Sequence, residues 1–257
     1  MGMPEGLEAA IYADAASELV GHVVTSIEVD DRCTDSNELS IVVGQRVQSV
    51  RRHGKRVALV LDGDQLELFF GMTGRVIIND VAPIGALEYG PSSERPEWDR
   101  LKLTTDVGSL RVNDPRRWAR FTLNPDWSTL GVDFISDAHQ LDDVLERHRR
   151  RTAAVKSVLL DQRVIAGLGN MLVDEVLFMA GIDPCRTFAS LSADERRQLS
   201  PHISEVVTRL GELGGSHTGV LSPEVRASLS ACPIDGAPLS RVKVSGRTTI
   251  FCSLHQR

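Results

Sequence analysis

RTAAVKSVLLDQRVIAGLGNMLVDEVLFMAGIDP, residues 151–184, is the stretch on which the reading of the chain turns. Apolar residues at Val155, Val158 and Leu159, and again at Val173, Val176, Leu177 and Ala180, recur at helical spacing. Gly181 stands where a C-terminal glycine cap belongs, with Pro184 just beyond it. The pattern predicts two helices joined by a Gly-x-Gly-Asn turn, Gly167 to Asn170. Paired glycines let backbone approach a ligand, and a helix N-terminus offers unpaired N–H groups to an anion, so such a turn can hold a phosphate. Taken alone it reads equally well as a tight helix–helix turn with a capping Asn. It is not a dinucleotide fingerprint, because a helix precedes it and no third glycine follows at the required spacing.

Outward from this stretch the pattern divides the chain. Towards the N-terminus, Gly6 to about Val20 is helical in pattern. Then come short β runs, among them HVVTSIEV, QRVQSV, RVALVL, QLELFF, RVII, LKLTT and SLRV, broken by turn signals such as Asp62-Gly63 and Val107-Gly108. So many short strands predict a two-layer antiparallel sandwich or barrel. From about Ser136 the strands give way to helices, LDDVLERHRR, AVKSVLLDQ, MLVDEVLFMA and a long one capped by Ser192 with Glu195 three residues on. RVKV and TTIF around Ser245-Gly246 have hairpin composition. The fold class expected is therefore α+β and multi-domain, without the β–α alternation of a parallel sheet.

The 257 residues are 42% hydrophobic, and no apolar run approaches the ~20 residues of a membrane span, so no membrane partner is expected. The N-terminus lacks a secretion pattern, which sets a cytoplasmic default. Cys33, Cys185, Cys232 and Cys252 are too few and too scattered for a disulfide framework. A net charge of −6 argues against nucleic-acid binding in bulk, yet basic residues cluster at 51–56, at 116–120 and in ERHRRR, 146–151. A basic surface on an acidic body is compatible with a duplex; each cluster also reads as a solvated face.

Five further stretches stand in order around the opening one. They are Met3-Pro4-Glu5-Gly6, RRHGKR (51–56), GMTGR (71–75), DPRRW (114–118) and CPIDG…GRTTIFCSLH (232–255). Together the six resemble the formamidopyrimidine-DNA glycosylase and endonuclease VIII family over nearly the full chain. The resemblance implies an N-terminal catalytic β-sandwich with a flanking helix over 1–130. It implies a helix–two-turn–helix DNA-binding domain over 131–228 and a zinc-finger-like hairpin over 229–257. It also implies a bifunctional glycosylase/AP lyase that removes oxidised bases from damaged double-stranded DNA by β,δ-elimination. Such a protein would act as a monomer at the nucleoid.

By the same resemblance Pro4 is the nucleophile, Glu5 the acid, Glu8 a further acidic position and Lys55 a catalytic lysine. Met72, Arg116 and Trp118 enter the duplex where a base has been extruded, although on composition alone Met72 and Trp118 read as core. Lys156, Asn170 and Arg247 bind phosphates flanking the lesion. A free Pro4 amine requires that Met3 be the start and be removed. If Pro4 keeps Met1-Gly2-Met3 before it, the alternative is a family member that binds damaged or abasic DNA without excision.

The chain departs from the family pattern at several points. Phe69 stands where many relatives have histidine and Leu172 where they have tyrosine. The span from Gly214 to Cys232 is short for a lesion-closing loop, and Gly6 leans towards the endonuclease VIII branch. In the finger, Cys232, Asp235, Cys252 and His255 keep the family's spacing, with a carboxylate and an imidazole replacing two thiolates. All four can ligate zinc, so one zinc per chain and a zinc-free hairpin packed on apolar residues both remain open.

Overall fold

The computed structural model describes every residue except 1–3, 35, 86, 88, 89, 92 and 230, so the expectation about Met3 falls outside the described residues. The chain separates into two compact units, Gly2–Ser128 and Thr129–Arg257.

The first unit begins with α1 (Gly6–Ala16), which buries Leu7, Ala9, Tyr12 and Ala16. The strands are β1 (Val24–Val29), β2 (Val47–His53), β3 (Arg56–Leu61), β4 (Gln65–Phe69), β5 (Arg75–Ile78), β6 (Asp99–Thr105), β7 (Ser109–Asn113) and β8 (Arg120–Leu123), with a four-residue α2 (Ser36–Leu39) between β1 and β2. They form two four-stranded sheets, β1-β6-β7-β5 and β2-β3-β4-β8, with antiparallel pairing throughout. Alternating inward residues, such as Val57, Leu59 and Leu61 on β3 and Leu101 and Leu103 on β6, meet in one core with Tyr12 and Leu19. All seven β runs read from the sequence are strands. The eighth, β8, lies just beyond the DPRRW motif, where the sequence shows no clear alternation.

The second unit holds β9 (Val132–Asp133) and β10 (Ile165–Ala166), a short parallel pair. Its helices are α3 (Leu141–Arg147), α4 (Val155–Leu160), α5 (Asn170–Met179), α6 (Ala193–Glu212) and α7 (Pro223–Ser228). The antiparallel hairpin β11 (Ser240–Val244) and β12 (Arg247–Phe251) ends it. Gly181 follows α5 at φ +66°, as the glycine cap requires. Ser192 and Glu195 form the expected capping box at the start of α6. The hairpin packs Leu239, Ile250 and Cys252 against Phe178 of α5 and Leu221. Among the described residues no helix is long and apolar enough to cross a membrane.

Candidate nucleic-acid interface

In the first unit, Pro4 and Glu5 are buried at the start of α1. Glu5 is the N-cap: its carboxylate accepts from the backbone of Glu8, while its own N–H donates to Glu8 Oε2 at 2.7 Å. This reciprocal box fixes the Pro4-Glu5 dipeptide to the helix. Lys55 occupies the tip of the β2–β3 hairpin, a two-residue turn whose first residue, Gly54, has φ +58° while Lys55 does not turn positive. That is the type II′ geometry that suits strand twist, and it presents Lys55 beyond the sheet.

The loop between β7 and β8 is built on Asp114, whose side chain is wholly buried. One carboxylate oxygen accepts from the Arg116 N–H at 3.1 Å and from the Thr73 hydroxyl. The other accepts from the N–H groups of Trp118 at 2.6 Å and Ala119 at 2.8 Å. Asp114 thus turns the backbone outwards, and Arg117 adopts φ +55° in the process. The result is an exposed pair: Trp118 is 45% exposed, and the Arg116 guanidinium lies 5.8 Å from its ring centroid.

Met72, from the neighbouring Gly71-Met72-Thr73 turn, has its sulfur 3.8 Å from Arg116 Nη1. It is only 6% exposed, yet it is not part of the sandwich core cluster. Gly71 must be glycine: its φ is +58°, and an added Cβ would stand 2.7 Å from the Trp118 Cβ. The structure therefore brings Met72, Arg116 and Trp118 together in one cluster. Phe69, on β4, carries the Arg56 guanidinium 4.8 Å above its ring, and Arg56 also pairs with Glu67 at 2.8 Å.

In the second unit the Gly167–Asn170 turn is braced from inside. Gln162 donates to the Leu168 carbonyl at 2.9 Å and accepts from the Gly167 N–H at 3.0 Å. Gly167, at φ +110°, lies against the Phe134 ring, where a Cβ would come within 2.2 Å. Its glycine requirement is thus met by internal packing as well as by any ligand. Asn170 is the first helical residue of α5, with Gly169 as the N-cap, so it is not itself the cap. Asn170 is 6% exposed, and its carboxamide oxygen is buried without a hydrogen-bond partner. An orphaned polar group at a helix N-terminus has a cost that a ligand can remove.

Lys156, assigned to a phosphate by resemblance, is buried in the structure. Its side chain is 0% exposed, and Nζ donates to Asp174 Oδ1 at 2.6 Å and to the Thr248 carbonyl at 3.2 Å. A solvated phosphate contact would require dismantling a buried ion pair, which is expensive. Lys156 instead props the hairpin from beneath. Asp174 also pairs with Arg226 at 2.8 Å and accepts from the Ile250 N–H at 3.3 Å, and Ser157 of α4 meets Ser245 at 2.6 Å. These contacts bracket Arg247, which is exposed as the first residue of β12, after a Ser245-Gly246 turn with both φ values positive. Leu172 is fully buried in α5, so the departure there lies in the core.

Cys232, Asp235, Cys252 and His255 converge, with one ligand atom from each within 4.8 Å of all the others. Cys232 Sγ lies 3.5 Å from His255 Nδ1, Cys252 Sγ 3.2 Å from Asp235 Oδ2, and His255 Nδ1 3.4 Å from that same oxygen. Tetrahedral zinc with ordinary bond lengths separates its donors by about 3.3–3.8 Å, so the set fits. His255 Nε2 lies 3.2 Å from the Phe178 carbonyl, a partner that leaves Nδ1 free to ligate. Sequence spacing found the four donors; the carbonyl could not be read from it. Burial raises the Cys232 thiol, whereas the Ala237 N–H bonded to Asp235 helps hold that carboxyl below the usual range.

A family model of the formamidopyrimidine-DNA glycosylase N-terminal domain matches residues 3–121, and one of the formamidopyrimidine-DNA glycosylase H2TH domain matches residues 130–222. The chain is 33% identical to the formamidopyrimidine-DNA glycosylase of Paracoccus denitrificans over 85% of each chain. It is 29% identical to that of Idiomarina loihiensis over 99% of this chain and 100% of the other. Among solved structures it resembles the Lactococcus lactis protein in complex with DNA containing N7-benzyl-Fapy-dG, with a TM-score of 0.82 and 25% identity over 99% of this chain and 100% of that one.

Proposed function

The chain belongs to the formamidopyrimidine-DNA glycosylase family, and from that premise we propose that it excises oxidised bases from duplex DNA and then cleaves the strand at the abasic site. The observation that carries the reading is the cluster of Met72, Arg116 and Trp118 around buried Asp114. An exposed tryptophan on a loop locked by four hydrogen bonds has no folding purpose. It suits a duplex from which one base has been turned out, because a planar ring and an unbranched side chain can fill the gap while a guanidinium pairs with the orphaned base.

In this reading Pro4, freed by removal of Met3, is a secondary amine with a pKa near ~8, so a useful fraction is neutral at pH 7. Its nitrogen attacks C1′, the C1′–base bond breaks with the electron pair leaving on the base, and the amine proton passes to the departing base. Glu5 protonates the sugar ring oxygen, so that the ring opens to an iminium. That cation acidifies C2′–H, whose loss expels the 3′ phosphate; a second elimination expels the 5′ phosphate. Water then hydrolyses the iminium and restores the amine. Lys55 at its hairpin tip, Asn170 at the α5 N-terminus and Arg247 on the hairpin contact the backbone phosphates. Cys232, Asp235, Cys252 and His255 would hold a zinc ion, which when bound supplies rigidity to the hairpin.

Borohydride trapping tests the reading. Protein begun at Met3 and processed to Pro4 should form a covalent complex with an abasic duplex, and protein retaining Gly2-Met3 should form none. Equal trapping by both would remove Pro4 from its role.

A further inference from the structure

The ERHRRR run is not used by the site described above, and the structure gives it a shape. The end of α3, the segment after it and the loop following α4 surround an open cleft of about 530 Å³, lined chiefly by Arg147, His148, Arg150, Arg151, Arg163 and Asp161. Arg147, His148 and Arg163 also line an adjoining cleft of about 420 Å³, so the concavity is continuous. Among the described residues, Asp161 is the one acid lining the first cleft, and Asp137 the one acid lining the second. Asp161 pairs with Arg151 at 2.9 Å; its burial would raise the carboxyl, but that guanidinium and the Arg163 N–H hold it below the usual range.

Arg147, Arg150 and Arg163 are left with no carboxylate within ion-pair distance among the described residues, Arg147 touching only the Asp143 carbonyl. Four other arginines of this unit sit against acids, in Arg186–Glu195, Arg196–Glu146, Arg209–Glu175 and Arg226–Asp174. In a chain with 35 acidic and 29 basic residues, three unpaired guanidiniums in one concavity are not a by-product of composition. They repel one another, and a polyanion removes that repulsion.

We propose that this cleft is a second backbone-binding site, which takes phosphates of duplex DNA away from those held at the Gly167–Asn170 turn. The inference rests on the reading of the protein as DNA-binding. The loop that lines the cleft also builds the turn: Arg163 faces the cleft while its neighbour Gln162 bonds Gly167 and Leu168. Gly167 lies four steps along the chain from Arg163, a span of at most about 14 Å. Over that length a duplex carries roughly eight phosphate charges, so backbone seated at the turn places others within reach of the guanidiniums.

The test is the salt dependence of binding to an undamaged duplex, comparing the native chain with Arg150→Ser/Arg163→Ser. A melting temperature for each establishes that both are folded. The double variant should flatten the plot of log K against log salt by roughly two, about 0.9 for each phosphate that is no longer neutralised. Arg150→Lys/Arg163→Lys should restore the slope. An unchanged slope in the serine variant overturns the proposal, and is the outcome expected if the cleft receives an acidic protein instead. If the native chain itself traps no abasic duplex, the failure lies with the functional reading and not with the cleft.

Discussion

Each unit fixes its exposed groups on one buried aspartate, and the two are satisfied differently. Asp114, beneath Arg116 and Trp118, is held by three backbone N–H groups and a hydroxyl. Asp174, beneath the hairpin that carries Arg247, is held by two cations, Lys156 and Arg226, with one N–H from Ile250. The first is a local device: every partner lies within the two loops that it shapes. The second joins α4, α5, α7 and β12, which meet only in three dimensions. Removing the first acid should therefore loosen a loop, whereas removing the second strands two cations and should loosen a whole unit.

The largest effect should come from Asp174→Ala. An unpaired buried charge costs about 3–5 kcal/mol, and here Lys156 and Arg226 are both left behind. Thermal unfolding followed separately for the two units should show the Thr129–Arg257 transition falling steeply and the other holding. A small, uniform shift in both would erase the contrast.

Asp114→Asn comes next. One acceptor oxygen becomes a donor facing backbone N–H groups, with a loss of about 1.5–3 kcal/mol for a charged hydrogen bond. Excision from duplex DNA should fall markedly while the second unit melts unchanged. Cleavage of a preformed abasic site in single-stranded DNA should suffer less, because there is no stack to fill. Trp118→Ala sharpens the same point: at 45% exposure its removal should shift stability by no more than about 0.5 kcal/mol while still impairing duplex excision. A large loss of melting temperature with unimpaired excision would return Trp118 to a packing role.

The hairpin's second tether is the Cys232, Asp235, Cys252 and His255 cluster. Metal analysis of purified protein should find about one zinc per chain, given its four donors. Chelation should weaken DNA binding less than Asp174→Ala does, since Lys156, Ser157 and Asp174 still hold the hairpin. Equal losses would mean that the metal cluster, not the aspartate, positions Arg247.

The smallest effect lies at the surface. Arg186 holds the Glu195 carboxyl down to about 2, against partial burial. A depressed carboxylate stabilises above its unfolded pKa, so this contribution should be complete above about pH 4.5 and vanish as pH falls towards 2. With a third of its side chain exposed, Glu195→Gln should cost no more than about 1 kcal/mol at neutral pH and nothing in acid.

The parts legible in the sequence are those that local pattern determines. Strand alternation, the Ser192–Glu195 box, the Gly181 cap and each half of the finger, Cys232/Asp235 and Cys252/His255, depend on residues within a few positions of one another. Asp114 stands in a recognisable motif, but its acceptor role depends on loop geometry that spacing does not encode. The ion pair of Lys156 is not legible because its partner, Asp174, lies eighteen residues away, across the turn. The six-residue α7, with Ser222 as cap and Pro223 at its first turn, is too short to show a period.

In the proposed mechanism Pro4 is the group that joins DNA. The most direct measurement is to trap the Met3-initiated protein on an abasic duplex with borohydride, digest it, and locate the adduct by mass spectrometry. The sugar adduct is expected on the N-terminal peptide that begins at Pro4. An adduct on the peptide containing Lys55, with the N-terminal peptide unmodified, would contradict it.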